Sequence, residues 1–133
     1  MKKLTIILKI VLIIIFVGCT SNQIDGIDYE GKYVGEKNEN GERHGQGTLN
    51  FANGRLYVGE WENGVPDGQG KSTWPNGNSY EGAYKNGNTN GQGIFFIQAG
   101  EKKFIGEFKD SQICEGKWYN KDGEITGENS PCR

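Results

Sequence analysis

The chain of 133 residues is mildly acidic, with 15 lysines and arginines against 17 aspartates and glutamates and a net charge of −2. This balance disfavours nucleic acid as a partner, because binding to a phosphate backbone depends on Lys and Arg. Hydrophobic residues make up only 34% of the chain and glycines number 22, which excludes a single core of ordinary size. Aromatic residues still make up 11%, whereas disordered segments are poor in them. The composition therefore predicts a thin, extended but folded protein.

An apolar leader occupies residues 1–18 and predicts a secretory signal. Three lysines and no acid lie in it, and residues 4–17 are apolar apart from Thr5 and Lys9, as in a signal peptide. The apolar stretch is interrupted by Lys9 and falls short of the ~20 residues that a helix needs to span a bilayer. An uncleaved membrane anchor and ordinary secretion remain the alternatives to a lipid-anchored product.

The end of the leader, Gly18 and Cys19, resembles the lipobox of bacterial lipoproteins, although Phe16 stands where Leu is commoner. The resemblance implies that Cys19 receives a diacylglyceryl group, becomes the mature N-terminus and anchors the chain in the membrane of a bacterial cell envelope. Thr20, in place of the Asp that resembles an inner-membrane retention signal, favours the outer membrane in a bacterium that has one. Removal of residues 1–18 lowers Lys plus Arg from 15 to 12 while the acids stay at 17, so the mature net charge is −5.

Residues 19–28 comprise the lipidated cysteine and a short polar linker. Fully extended, the nine residues after Cys19 reach about 30 Å. We therefore expect the folded part of the chain to work close to the bilayer.

Residues 29–128 repeat one pattern at a spacing of 23 to 24 residues, and residues 129–133 form a C-terminal tail. Each of four units begins with an aromatic residue and has glycine two residues later. These first residues are Tyr33, Tyr57, Tyr80 and Phe104. A Gly-Gln-Gly follows in the first three units, and Cys114-Glu115-Gly116 takes its place in the fourth. A fixed period of this size indicates an array of small units, each too small to fold alone.

Each unit is predicted to be a β-hairpin. Tyr57 and Trp61 share one face of a strand, while Val58 and Glu60 point the other way. Each unit closes on a turn pair, of which Asn-Gly is the strongest hairpin signal because both residues tolerate positive φ. The pairs are Asn53-Gly54, Asn76-Gly77, Ala99-Gly100 and Asp122-Gly123. The predicted fold is all-β, an elongated single-layer antiparallel β-meander of consecutive hairpins, preceded by an N-terminal helical signal segment.

Equivalent residues of successive hairpins are expected to stack in three columns. The first column is Tyr33, Tyr57, Tyr80 and Phe104. The second is Trp61, Tyr84 and Phe108, with Lys37 in the first unit. The third is Leu49, Phe95 and Trp118, with Ser72 as a gap. Glycines at alternate positions are expected to remove a side chain so that a neighbouring ring can lie across the backbone.

A single-layer sheet is expected to leave one side of many rings uncovered, and such a surface marks a docking site. The alternative is that the rings pack on one another and support the sheet, which we expect for most of them. The candidate binding or packing aromatics are Tyr33, Tyr57, Trp61, Trp74, Tyr80, Tyr84, Phe104, Phe108 and Trp118.

The pattern resembles the MORN repeat (membrane occupation and recognition nexus), with a consensus similar to Y-x-G-x-W-x-N-G-x-x-x-G-x-G. Residues 57–70 fit it at every position, and residues 80–93 carry Tyr84 in place of Trp. The first unit has one extra residue and Lys37 in the aromatic position, and the fourth is the weakest match. The resemblance covers residues 29–128. It implies an elongated, twisted sheet whose curved surface serves as a docking platform.

Cys114 and Cys132 are a candidate disulfide if the chain is exported to an oxidising compartment. Closing this loop would stabilise the fold by roughly 3 kcal/mol in the chain-entropy model. Two free thiols are the alternative. A metal site is not expected, because the chain has a single histidine and no thiol pair at ligand spacing.

No catalytic residue is predicted. His44 is the only histidine and is interpreted as a loop or turn residue. Glu36, Glu60 and Glu107 recur with the repeat and are interpreted as structural, pairing with a cross-strand Lys or facing water. The Gly-x-Gly elements are followed by no helical period, which a phosphate-binding loop requires. The sequence predicts no enzyme, no cofactor and no small-molecule substrate.

The predicted function is a lipid-anchored envelope platform that binds a protein partner. Binding of glycan or peptidoglycan is one alternative, since aromatic rings can stack on sugars. Binding of phospholipid headgroups is another, but the acidic chain offers only Lys102-Lys103 as a basic cluster.

Overall fold

The computed structural model describes residues 27–28, 31–130 and 132. The predicted helical signal segment, Cys19 and the linker up to residue 26 lie outside these residues. Within them lie ten strands: β1 (Ile27–Asp28), β2 (Gly31–Lys37), β3 (Arg43–Phe51), β4 (Leu56–Glu62), β5 (Val65–Thr73), β6 (Ser79–Lys85), β7 (Asn88–Ile97), β8 (Lys102–Lys109), β9 (Gln112–Asn120) and β10 (Ile125–Asn129). A short 3-10 turn, η1 (Gln98–Gly100), precedes β8.

The strands form one sheet in chain order, each antiparallel to the next. The prediction of a single-layer meander of consecutive hairpins is therefore confirmed. Strands that are adjacent in the sheet are also consecutive in the chain, so each hairpin extends the sheet by two strands without a crossover connection. Such an array is stabilised by contacts between adjacent units, because one hairpin alone is marginal.

The tightest turns lie inside the units. Asn63-Gly64, Asn86-Gly87 and Asp110-Ser111 each place two successive residues at positive φ, at 48° and 90° in the first pair. This is the geometry of a type I′ hairpin turn. At the predicted Asn53-Gly54 pair only the glycine has positive φ, and the Asn53 side chain accepts a hydrogen bond from Arg55 N at 3.0 Å. The predicted pairs thus mark the longer connections between units.

A row of glycines crosses the sheet. From β2 to β9 the facing residues are Gly35, Gly47, Gly59, Gly70, Gly82, Gly93, Gly106 and Gly116. A Cβ at Gly59 would lie 2.7 Å from the Tyr57 hydroxyl, and one at Gly70 would overlap the same ring. The expectation that glycine lets a ring lie across the backbone is confirmed.

The first and third predicted columns form a single row. Register places Tyr33, Leu49, Tyr57, Ser72, Tyr80, Phe95, Phe104 and Trp118 opposite one another on consecutive strands. The separation into two columns was wrong because the two strands of one hairpin face each other at these positions. Ser72, the gap in the third column, therefore sits between Tyr57 and Tyr80.

Rings from the second column fill the spaces between the tyrosines. The resulting ring zigzag runs Tyr33, Trp61, Tyr57, Tyr84, Tyr80, Phe108, Phe104 and Trp118, with successive centroids 4.7–5.5 Å apart. All but the last pair meet edge to face, and each such contact adds about 0.5–1.5 kcal/mol beyond burial of area. The ring zigzag, on one face of the sheet, is the core of the protein.

The opposite face carries no part of this core. Its central row includes Val34, which is 63% exposed, Val58 and Ile105. Ion pairs Lys71–Glu81 (3.5 Å) and Lys117–Glu128 (3.3 Å) join neighbouring strands in the same row. Such exposed pairs contribute little stability.

A disulfide joins Cys114 on β9 to Cys132, with the Cα atoms 4.8 Å apart. Cys114 is buried. It stands two and four residues before Gly116 and Trp118 on β9, so its side chain shares their face of the sheet, which is the face of the ring zigzag. The bond therefore attaches the end of the chain to the last strands of the aromatic face.

Candidate binding surface

All nine candidate aromatics lie on one face, but most are covered. Seven of them are 0–9% exposed, and only Trp74 and Trp118 are partly exposed. The expectation that a single-layer sheet leaves many rings uncovered was wrong. Edge-to-face packing covers the ring sides, and the side chains of Tyr33, Tyr57 and Tyr80 lie directly over the glycine row.

The tyrosine hydroxyls are also engaged within the sheet. Tyr57 donates a hydrogen bond to the Glu60 carbonyl oxygen at 2.9 Å, and Tyr80 donates one to the Ala83 carbonyl oxygen at 2.9 Å. Each acceptor lies where the strand register shifts, so the bulge frees a carbonyl from the ladder. Burial raises the pKa of both tyrosines above the usual value. These hydroxyls therefore support the fold instead of contacting a partner.

Two glutamates bind backbone at register shifts of the sheet, Glu36 between Gly35 and Lys37 and Glu60 between Gly59 and Trp61. Glu36 accepts a hydrogen bond from Gln46 N at 3.1 Å, and Glu60 accepts one from Gln69 N at 2.7 Å. Their structural interpretation stands, but the partner is a backbone N–H, not a cross-strand lysine. The prediction of a loop or turn position for His44 was wrong, because it lies exposed within β3. Among residues 27–28, 31–130 and 132, no group of three His, Cys, Asp or Glu is arranged to hold a metal ion.

Two arginines that sequence reasoning missed lie over rings. The Arg43 guanidinium is 5.7 Å from the Tyr33 ring centroid and 5.2 Å from that of Trp61. Arg43 faces Lys37, the residue that replaces the aromatic of the second column in the first unit. Its planar cation thus continues the ring zigzag where the repeat lacks a ring.

The second arginine belongs to a cleft of about 230 Å³ on the aromatic face. Its lining includes Arg55, Ser72, Trp74, Tyr84, Phe95 and Ile113. We call it the Arg55 cleft. Trp74 and Phe95, with ring centroids 6.1 Å apart, are partly buried and form its aromatic wall. Of the described side chains that line it, Arg55 alone carries a charge.

Arg55 is held by stacking. Its guanidinium carbon lies 3.9 Å from the Phe51 ring centroid, a contact that uses the face of the cation and leaves its in-plane N–H donors for other groups. Its Nε is buried and has no hydrogen-bond partner within the described part of the chain. Leaving such a donor unsatisfied costs about 1–3 kcal/mol.

The floor of the Arg55 cleft is polar at one point. The Tyr84 hydroxyl donates a hydrogen bond to Ser72 Oγ at 2.8 Å. Burial raises the pKa of Tyr84, and the Ser72 hydrogen bond and the positive charge of Arg55 oppose that rise. The cleft therefore combines an apolar wall, one buried hydroxyl pair and one cation, an arrangement that suits binding.

A signal for Arg55 was present in the sequence. It stands two residues before the first ring of its unit, where the other units carry Gly31, Asn78 and Lys102. Positions that are constant across the units are fixed by the structure of the repeat. A position that varies between units is free to carry a residue with a function.

Comparison with known families identifies the repeat. The family model described as MORN repeat matches residues 29–54, 57–79 and 80–100, together more than half of the chain. The matches end before β8, although the β8–β9 hairpin keeps the facing glycines and the buried ring of the earlier units. No curated protein matches the chain significantly. Within residues 27–28, 31–130 and 132, no helix has the length and hydrophobicity of a membrane-spanning segment.

Proposed function

This chain belongs to the MORN-repeat family, and from that premise we propose that it is a non-catalytic, lipid-anchored protein of the bacterial cell envelope whose sheet binds a protein partner. Repeats of this family are consistent with a binding or scaffold role. The observation that carries the proposal is the Arg55 cleft. It is an apolar concavity with a cation at its wall, on a face where most other rings are already buried.

The membrane anchor in this proposal rests on sequence. The leader of residues 1–18 ends at Cys19, the residue that lipoprotein processing would modify. We place residues 1–18 as the signal peptide, residues 19–28 as lipidated cysteine and linker, and residues 29–128 as the repeat array. The anchor would hold the N-terminal edge of the sheet within about 30 Å of the bilayer.

Direct recognition of anionic headgroups is less well supported. Lys102 and Lys103 are consecutive on β8 and point to opposite faces, with their ammonium groups 5.0 Å from the Trp118 ring and 5.9 Å from the Tyr119 ring. They form no joint cationic patch of the kind that attracts anionic lipid.

Crosslinking in intact cells tests the proposal. The full-length chain and its Cys19→Ser variant are crosslinked, captured and analysed by mass spectrometry, with fatty-acid labelling to report lipidation. We expect label on the native chain only, and one dominant envelope protein whose capture drops in the variant. Recovery of only self-crosslinks or of cell-wall fragments would overturn the protein-partner function in favour of self-assembly or glycan binding.

A further inference from the structure

We infer that the Arg55 cleft is an anchor site for an acidic segment of the partner, taking one apolar side chain together with the carboxylate beside it. The inference rests on the proposed function and specifies which chemistry of the partner the platform recognises. It is carried by three observations on the cleft: its charge, its unsatisfied donor and its size.

Charge complementarity identifies the ligand as an anion. The chain as a whole is acidic, yet the lining of the Arg55 cleft contains no acid among the described residues and one guanidinium. A guanidinium presents a planar fork of N–H donors that matches the two oxygens of a carboxylate. A single positive charge balances one carboxylate, whereas a phosphate monoester brings nearly two negative charges.

The unsatisfied donor shows that contacts within the described chain do not use all the hydrogen-bond donors of Arg55. Its Nε is buried without a hydrogen-bond partner in the described chain, and its guanidinium face is fixed on Phe51. Buried donors in native proteins nearly always have a partner, in the protein or in ordered water, and the described chain gives Nε none. The fold therefore leaves hydrogen-bonding capacity of Arg55 to a group that enters the cleft, and a carboxylate is the acceptor that a guanidinium matches best.

The volume of the cleft favours an anchor site for one side chain over a pocket for a small-molecule ligand. The cleft measures about 230 Å³, below the roughly 300–1,000 Å³ typical of ligand pockets. It is large enough for one buried side chain against Trp74, Phe95 and Ile113. Interfaces concentrate their affinity in such anchors, where an apolar group and a desolvated charge pair lie together.

The test uses two probes that differ only in charge. N-acetyl-phenylalaninate carries a ring and a carboxylate, and N-acetyl-phenylalanine amide carries the same ring without charge. Each is titrated into the full-length chain in detergent while NMR follows the indole N–H signal of Trp74. We expect the carboxylate to bind at least about tenfold more tightly than the amide, with the Trp74 signal shifting in a saturable manner.

Three variants locate the effect. Arg55→Gln should remove the preference for the carboxylate, whereas Lys102→Gln, which removes a cation lying over the Trp118 ring outside the cleft, should keep it. Arg55→Lys retains the charge without the fork and should retain part of the preference, which also covers the case in which Arg55→Gln fails to fold. Equal binding of both probes to the native chain, or a preference that survives Arg55→Gln, would overturn the inference.

The outcome separates the two proposals. If crosslinking recovers a protein partner and Arg55→Gln leaves that capture unchanged, the platform function stands and the anchor site is refuted. If the carboxylate probe binds through Arg55 but no protein is captured, the protein-partner function is refuted. Capture that falls together with the loss of the carboxylate preference supports both.

Discussion

The Tyr84 hydroxyl lies 2.8 Å from Ser72 Oγ, at the one place in the cross-strand row from Tyr33 to Trp118 where the side chain is neither aromatic nor aliphatic. Both residues are buried. Tyr84 thus needs a polar partner inside the ring zigzag, and the small Ser72 leaves room for that ring between Tyr57 and Tyr80. The apparent gap in the repeat is the acceptor of a buried hydrogen bond.

We predict that Ser72→Ala destabilises the fold by about 1–3 kcal/mol, because it leaves the Tyr84 hydroxyl buried without an acceptor. Tyr84→Phe removes the donor as well, so the double variant should recover most of the loss. Denaturant unfolding of the two single variants and the double variant measures the coupling. Additive losses in the double variant would show that the hydrogen bond contributes nothing to stability.

The glycine row gives a second prediction with a matched control. Gly70→Ala would place a methyl group against the Tyr57 ring, and we expect a loss of about 1–3 kcal/mol from overpacking. At Gly127 the added Cβ would lie 3.7 Å from Trp118 Cδ1, an ordinary contact, so Gly127→Ala should be neutral or slightly stabilising. Neither position has positive φ, so backbone strain does not separate them. Equal midpoints of thermal unfolding would contradict the role given to the row.

Much of this fold follows from the sequence. The spacing of Gly47, Gly70, Gly93 and Gly116 by 23 residues predicts both the repeat and the approach of rings to the backbone. The merging of two columns into one row does not follow as easily. It depends on which residue of β3 faces Tyr33, and the bulges and turn lengths set that register.

The candidate site is less predictable than the fold. Ring exposure was misjudged because local patterning does not show that Trp61, Tyr84 and Phe108 tilt between the rings of the first column. Arg55 was missed because what distinguishes it is a buried Nε without a hydrogen-bond partner in the described chain. Such a feature depends on the folded structure and cannot be read from residue spacing.

The disulfide gives a third prediction. Cys132→Ser should lower stability by roughly 3 kcal/mol, the chain-entropy value for a sequence separation of 18 residues. Addition of reductant to the native chain should reproduce that loss, and reductant should leave the unfolding midpoint of the variant unchanged. A native chain from the exported fraction whose thermal stability is insensitive to reductant would show that the bond does not form or does not stabilise.

Alkaline pH should unfold the protein by ionising its buried tyrosines. Burial raises the pKa of Tyr57 and Tyr80 above the ordinary value near 10, so the folded state keeps both protons where the unfolded chain releases them. Their contribution to stability is therefore complete below about pH 10 and is lost as pH rises toward the folded-state values. Each tyrosine should steepen the fall of the unfolding free energy by at most about 1.4 kcal/mol per pH unit.

Tyr80→Phe tests the assignment, because Phe104 shows that phenylalanine fits the equivalent place in the fourth unit. We expect the variant to lose about 0.5–1.5 kcal/mol at neutral pH, since the Ala83 carbonyl loses its donor. Above about pH 10 its stability should fall less steeply than that of the native chain, by the equivalent of one proton. Denaturant unfolding at a series of pH values, with tyrosinate absorbance followed in parallel, measures both effects. Parallel stability curves for the two proteins would show that Tyr80 ionises equally in the folded and unfolded states.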